Sequence, residues 1–204
     1  MRTLQSLIFC SLIVSVLHAD AVPACPADET AQYYELFANG NKCSNGILNF
    51  TNFNFEVYQS SGGAPLTASQ IDLTPIGTPD ETGVTGFTFT GPDGQITVQP
   101  GEDETYIFSW LFLINDSGTA GGTSLTINPP GGDVTITEYF CLDSNFQNNQ
   151  YDGSAPGCTT SVEGSGAGVQ VVTVATGNLF DSITFNPRAQ DYANVMTVVQ
   201  LIGG

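Results

Sequence analysis

The sequence predicts an all-β protein, a two-sheet antiparallel β-sandwich with room for one short N-terminal helix. Apolar residues recur in short alternating runs, the period at which a strand presents one face to a core. Gly, Pro, Asn and Asp interrupt nearly every gap between those runs, as turns require. About nine or ten such strands with short turns favour a sandwich over a helical or doubly wound fold.

The helix is expected over residues 30–38, with Asp28 or Thr30 as its cap and Gly40 as its stop. Beyond it Leu48 and Phe50 alternate on one parity, whereas Phe53, Phe55 and Val57 alternate on the other. The phase therefore slips near Thr51-Asn52, the mark of a β-bulge or kink. Further strands are expected over residues 71–76, 84–90, 95–99, 125–128, 133–140, 169–175, 179–186 and 195–202. Residues 106–114 are apolar on both parities apart from Ser109, which fits a central strand covered on both faces. Residues 142–167 lack periodicity and are rich in Asn, Gly, Ser and Asp, a long stretch for a compact domain.

At the N-terminus Arg2 precedes an apolar stretch from Leu7 to Leu17 and then Ala19-Asp20-Ala21, a small-x-small peptidase site. Residues 1–21 are read as a signal peptide and residues 22–204 as a single β-sandwich domain. The apolar stretch is too short to span a bilayer, and no later run reaches the roughly 20 residues that spanning takes. The expectation is a secreted, extracellular product, with the periplasm or outer surface as the other destinations and no membrane insertion of the mature chain.

Cys25, Cys43, Cys141 and Cys158 form an even set that reads as two disulfides in an oxidising compartment. Zinc is the rival use of four cysteines, but there is no C-x-x-C pair and the lone histidine, His18, lies in the signal segment. Local pairing, Cys25 with Cys43 and Cys141 with Cys158, needs no long-range crossing. Long-range pairing stays open, because strands distant in sequence become neighbours in a sandwich. A Cys141–Cys158 bond would close the long loop, about 16 residues, and restrict the unfolded chain by about 3 kcal/mol.

The chain carries 3 basic and 20 acidic residues, a net charge of −17, and cleavage at Ala21 would remove one of each. Binding to a phosphate backbone relies on Lys and Arg, so nucleic acid is excluded as a partner, and anionic lipid repels the chain. A mature chain without histidine lacks the usual base of a Ser-His-Asp or Cys-His enzyme. A glycoside hydrolase needs only two facing carboxylates, which Glu102, Asp103, Glu104, Glu138 and Asp143 could supply. Glu138 is the first to examine, since it shares a strand with Thr135 and Thr137.

Calcium is the cofactor such a composition could use, because hard cations take carboxylate and carbonyl oxygens. Its candidate ligands are Glu102, Asp103 and Glu104 in one run, and Asp143, Asn145 and Asp152 in the long loop, although neither set has D-x-D-x-D-G spacing. Acids on an anionic surface otherwise serve solubility. For carbohydrate stacking, Trp110 reads as core, while Tyr33, Tyr34, Phe146 and Tyr151 are the rings expected at the surface, the first two with a packing role for the helix as the rival.

Several strings recur together in order: Leu48-Asn49-Phe50-Thr51-Asn52-Phe53 after Cys43, Gly62-Gly63-Ala64-Pro65-Leu66-Thr67-Ala68-Ser69-Gln70-Ile71, Gly86-Phe87-Thr88-Phe89, Val134-Thr135-Ile136-Thr137-Glu138-Tyr139-Phe140-Cys141 and Ile183-Thr184-Phe185-Asn186-Pro187. In this the chain resembles small secreted bacterial proteins of the PEP-CTERM sorting type, over most of its mature length. The resemblance implies a bacterial, exported, β-rich protein and no catalytic residues. The Pro-Glu-Pro motif, apolar helix and basic tail of that group are missing here, so sorting by that route is not expected. The reading that follows is a non-enzymatic structural or matrix protein, with extracellular polysaccharide or matrix as its partner. A carbohydrate-binding or calcium-dependent adhesion module is the alternative, and a glycoside hydrolase the third.

Overall fold

Eleven strands and one helix build the chain in the order β1 (Glu29–Thr30), α1 (Ala31–Ala38), β2 (Cys43–Asn45), β3 (Leu48–Ser61), β4 (Asp72–Ile76), β5 (Gly86–Thr90), β6 (Asp103–Ile114), β7 (Ala120–Thr126), β8 (Asp133–Leu142), β9 (Gln170–Ala175), β10 (Phe180–Ala189) and β11 (Tyr192–Ile202). The computed structural model describes residues 22–38, 42–45, 48–76, 86–114, 120–127, 132–148, 150–159 and 168–203, without the side chains of 37–38, 120–121 and 186–188. Residues 1–21, expected to be a signal peptide, Gly40, and residues 84–85 and 128 of expected strands lie outside those residues.

Six strands form one antiparallel sheet in the order β2-β3-β6-β11-β8-β9. Two smaller sheets, β1-β4-β5 and β10-β7, pack on it, which makes the all-β sandwich expected from the alternation. Aromatic rings meet between the layers: Phe50 against Phe87 at 4.8 Å, Phe89 against Phe108 at 4.6 Å and Phe140 against Phe185 at 5.1 Å. Such pairs add to the stabilisation their buried area already gives. One buried cluster joins residues of all three sheets, among them Leu73, Trp110, Phe185 and Leu201.

The phase slip in β3 is a bulge. The register with β6 shifts between Thr51 and Asn54, and Asn52 has a φ of 56°, the left-handed region that Asn tolerates better than most residues. The extra residue returns Phe53 and Phe55 to the core face already used by Leu48 and Phe50. β6 is the third strand of six. Tyr106, Phe108, Trp110 and Phe112 enter the sandwich core, while Ile107 on the opposite face joins a second cluster with Met196, Val198, Cys141 and Phe146. Helix α1 starts where Thr30 Oγ1 accepts from Tyr33 N–H at 3.2 Å, which selects Thr30 over Asp28 as the cap.

Three expected strands change. Residues 95–99 pair with no strand, although Ile96 and Val98 pack on the core. Alternation reports which side chains are buried, and an extended segment without a ladder partner alternates too. The strand expected at 125–128 is β7, which begins at Ala120. Its glycines hid it, and Gly122 is needed there, since a Cβ would sit 2.4 Å from the Ile183 carbonyl oxygen. The strand expected to end at 186 runs on as β10 through Pro187 to Ala189, with a register shift against β7 after Thr184. No described helix is long and apolar enough to cross a membrane.

Candidate functional site

Cys25 joins Cys43 and Cys141 joins Cys158, the local pairing. The first bond ties residues 23–25 to β2, where Cys25 N–H donates to the Ser44 carbonyl at 2.9 Å and Ser44 N–H to that of Pro23 at 2.7 Å. The second draws the loop after β8 across the outer face of the large sheet. Phe146, Tyr151 and Cys158 there cover Ile107, Met196 and Val198. Ser144, Asn145 and Thr159 hydrogen-bond across the loop's neck, with Thr159 N–H donating to the Asn145 carbonyl at 2.7 Å.

Glu138 lies on the core face of β8 and is only 7% exposed. Its cross-strand neighbours are Thr197 of β11 and Val172 of β9, so neither is an acid. Thr197 Oγ1 donates to Glu138 Oε1 at 2.9 Å. Burial pushes the carboxyl up to about 7, against the opposing pull of the Thr197 bond. Thr135 and Thr137, its neighbours along the strand, take the opposite face. The acid that the sequence singled out is therefore paired with a hydroxyl 59 residues away.

Glu102, Asp103 and Glu104 diverge. Glu104 is buried on the core face of β6 and accepts from the Tyr106 hydroxyl, which in turn accepts from Leu66 N–H at 2.9 Å. Burial and the bond to Glu104 raise the Tyr106 phenol. Asp103 is exposed, on the other side of the strand, and Glu102 closes the preceding turn by accepting from Gln99 N–H at 3.3 Å.

Asp143 sits at φ 48° with its carboxylate in a nest of three successive backbone N–H groups between β10 and β11. Oδ1 accepts from Gln190 at 3.1 Å, Asp191 at 2.8 Å and Tyr192 at 3.1 Å, and Oδ2 from Gln190 at 2.8 Å. Its own N–H donates to the Tyr192 carbonyl at 2.8 Å. Asp152 is exposed, and hydrogen bonds from Ser154 N–H and Oγ hold its carboxyl below the usual range. The Asn145 side chain accepts from Asn194 Nδ2 at 2.9 Å. The structure thus gives Asp143, Asn145 and Asp152 three separate tasks, and among the described residues no three His, Cys, Asp or Glu side chains gather where a metal ion could be held.

The rings correct one expectation. Trp110 is core, stacked on Phe53 at 6.4 Å, but Tyr34 and Phe146 are buried as well. Tyr34 packs α1 on Phe53 and Phe87 and donates to the Pro26 carbonyl at 2.6 Å. Tyr33 is exposed, and Tyr151 is half-buried edge-on to Tyr58 at 5.0 Å. A cavity of about 10 Å³ between α1 and the sheet, lined by Glu35, Phe53, Phe55 and Trp110, is about the size of one water. No family model, curated protein or solved structure matches the chain.

Two acids that sequence reasoning missed meet backbone at the sheet edges. Glu35 Oε1 accepts from Phe55 N–H at 2.6 Å, and Asp181 Oδ2 from Thr173 N–H at 3.0 Å. Nothing local in the sequence marks them, because each contact depends on which strand ends up at an edge.

Proposed function

We propose that the chain is an exported, non-enzymatic structural protein of an extracellular or envelope matrix. One observation carries this reading: of the acids that could have served chemistry, all but the exposed Asp103 accept hydrogen bonds from the chain's own groups. Glu138 meets Thr197, Glu104 meets Tyr106, Asp143 fills the nest at 190–192, and Asp152 holds Ser154. Burial of Glu104 and Glu138, and the donors already held by Asp143 and Asp152, leave each carboxylate less open to calcium or a sugar than a free one. The two disulfides support an oxidising compartment, and the resemblance to PEP-CTERM-type proteins supports a bacterial exported one.

The test is expression of the full chain followed by fractionation, with calcium titration and a glycan array on the product. The expected product begins at Val22, is recovered without detergent, and shows neither saturable calcium binding nor glycan retention. Recovery only with detergent and residues 1–21 attached would overturn the export reading. Stoichiometric calcium or selective glycan binding would replace the structural reading with the adhesive one.

A further inference from the structure

Two local devices converge on Tyr58 and Tyr151. The register of β3 with β6 shifts a second time between Val57 and Gln59, which leaves Tyr58 as the extra residue of another bulge. A bulge re-aims the side chain it carries, and Tyr58 is 38% exposed where Phe50, Phe53 and Phe55 of the same strand pack on the core. The loop closed by Cys141–Cys158 brings Tyr151 to it, with ring centroids 5.0 Å apart and ring planes at 79°. That loop then passes over the Tyr58 hydroxyl at Gly153, whose φ is 92° and where a Cβ would stand 2.7 Å from the phenol oxygen. Tyr151 is half-buried and packs, with Tyr139, on the cluster of Ile107, Met196 and Val198.

The chain has seven tyrosines, and the fold sorts them. Tyr34 and Tyr106 are buried, their hydroxyls donating to the Pro26 carbonyl and to Glu104. Tyr33 is exposed on α1, and the ring described beside it is the buried Tyr34, edge-on at 6.0 Å. Among the described residues, Tyr58 with Tyr151 is the ring pair in which two phenols distant in sequence meet and both reach solvent. We propose that Tyr58 and Tyr151 form an oxidative modification site, at which a haem peroxidase and hydrogen peroxide join an ortho carbon of one ring to an ortho carbon of the other and so fasten the loop to β3.

Each phenol gives up one electron and its hydroxyl proton, and the two phenoxyl radicals pair their electrons in a new carbon–carbon bond. The ring hydrogens of the joined carbons move to the phenol oxygens, while the peroxide takes up the two electrons and two protons and leaves as two waters. Burial, then the neighbouring Tyr139, Tyr58 and Asp152, raise the Tyr151 phenol, so at neutral pH its proton leaves with the electron. Contact at 5.0 Å supplies the proximity that coupling needs, and a net charge of −17 keeps other copies of the chain away from either radical. One ring has to tip for the ortho carbons to meet, and an exposed side chain such as Tyr58 rotates on the fastest timescales of the protein. Thiol exchange opens a disulfide and leaves an aryl–aryl bond intact, so the loop stays in place after reduction. The site extends the structural reading, which supplies only its setting. The modification is measured without calcium or glycan, so either can fail alone.

The experiment treats the disulfide-bonded chain beginning at Val22, in dilute solution, with a haem peroxidase and hydrogen peroxide. The expected product keeps the mobility of one chain, gains dityrosine fluorescence, loses the mass of two hydrogens and yields, on proteolysis, one peptide pair joined through Tyr58 and Tyr151. Tyr58→Phe and Tyr151→Phe keep the ring packing and are each expected to lose that fluorescence, whereas Tyr33→Phe keeps it. Reduced after cross-linking, the chain is expected to bind less hydrophobic dye than an untreated chain reduced alike. Links that join separate chains, or that run through Tyr33 or Tyr139 in place of this pair, would overturn the proposal. So would a Tyr58→Phe chain that gains the parent's fluorescence, a parent that gains none, or equal dye binding by the two reduced forms. Should a variant not fold, the peptide map of the parent decides alone.

Discussion

Glu138 and Asp143 use the same carboxylate in opposite ways. Glu138 is buried with a single hydroxyl donor, and burial raises its carboxyl from 4.5 to about 7. A raised acid binds its proton more tightly folded than unfolded, so its contribution is full below about 4.5 and is lost as pH rises through about 7. The loss is on the order of 3 kcal/mol. Glu138→Gln keeps an acceptor for Thr197 and carries no charge, so it should match the parent near pH 5 and melt several degrees higher at pH 8, read by thermal melts across that range. Asp143 instead meets three N–H donors, and Asp143→Ala leaves them without that acceptor. A loss of about 1–3 kcal/mol in denaturant unfolding is expected, larger than for Asp143→Asn, which keeps one acceptor oxygen. The sequence pointed to both residues as acids worth examining. It could not show their partners, because Thr197 and the 190–192 turn reach them only through the β8–β11 pairing.

At the scale of elements, whatever depends on alternation was legible and whatever depends on pairing was not. The slip at Thr51-Asn52 was visible because five apolar residues changed parity around it, and the bulge with Asn52 at φ 56° is its cause. Asn52→Val should therefore lower stability by about 1–2 kcal/mol, with Asn52→Gly nearly neutral, by chemical denaturation. Residues 95–99 misled because Ile96 and Val98 alternate without a ladder, and β7 was cut short because Ala120, Gly121 and Gly122 carry no strand signal. The long loop was legible in its closure and silent about its destination on Ile107, Met196 and Val198. Replacing Cys141 and Cys158 together by serine should cost about 3 kcal/mol and uncover that apolar face. Increased binding of a hydrophobic dye to the folded variant is the accompanying sign.

For the whole molecule, composition already separated function classes, since a chain at −17 with 3 basic residues has little to offer a phosphate backbone. The fold adds a division of labour among its acids: some hold the core, some hold turns, and two close sheet edges. The two disulfides are consistent with an oxidising compartment, and the proposed structural role predicts that the fold persists there. The measurement that tests this most directly is the survival of the oxidised chain, from Val22 onward, against a broad-specificity protease before and after reduction. The expected result is a sandwich fragment that persists while oxidised and is degraded once Cys25–Cys43 and Cys141–Cys158 are reduced. Equal, rapid digestion of both forms, with early cuts inside β6 or β11, would contradict it.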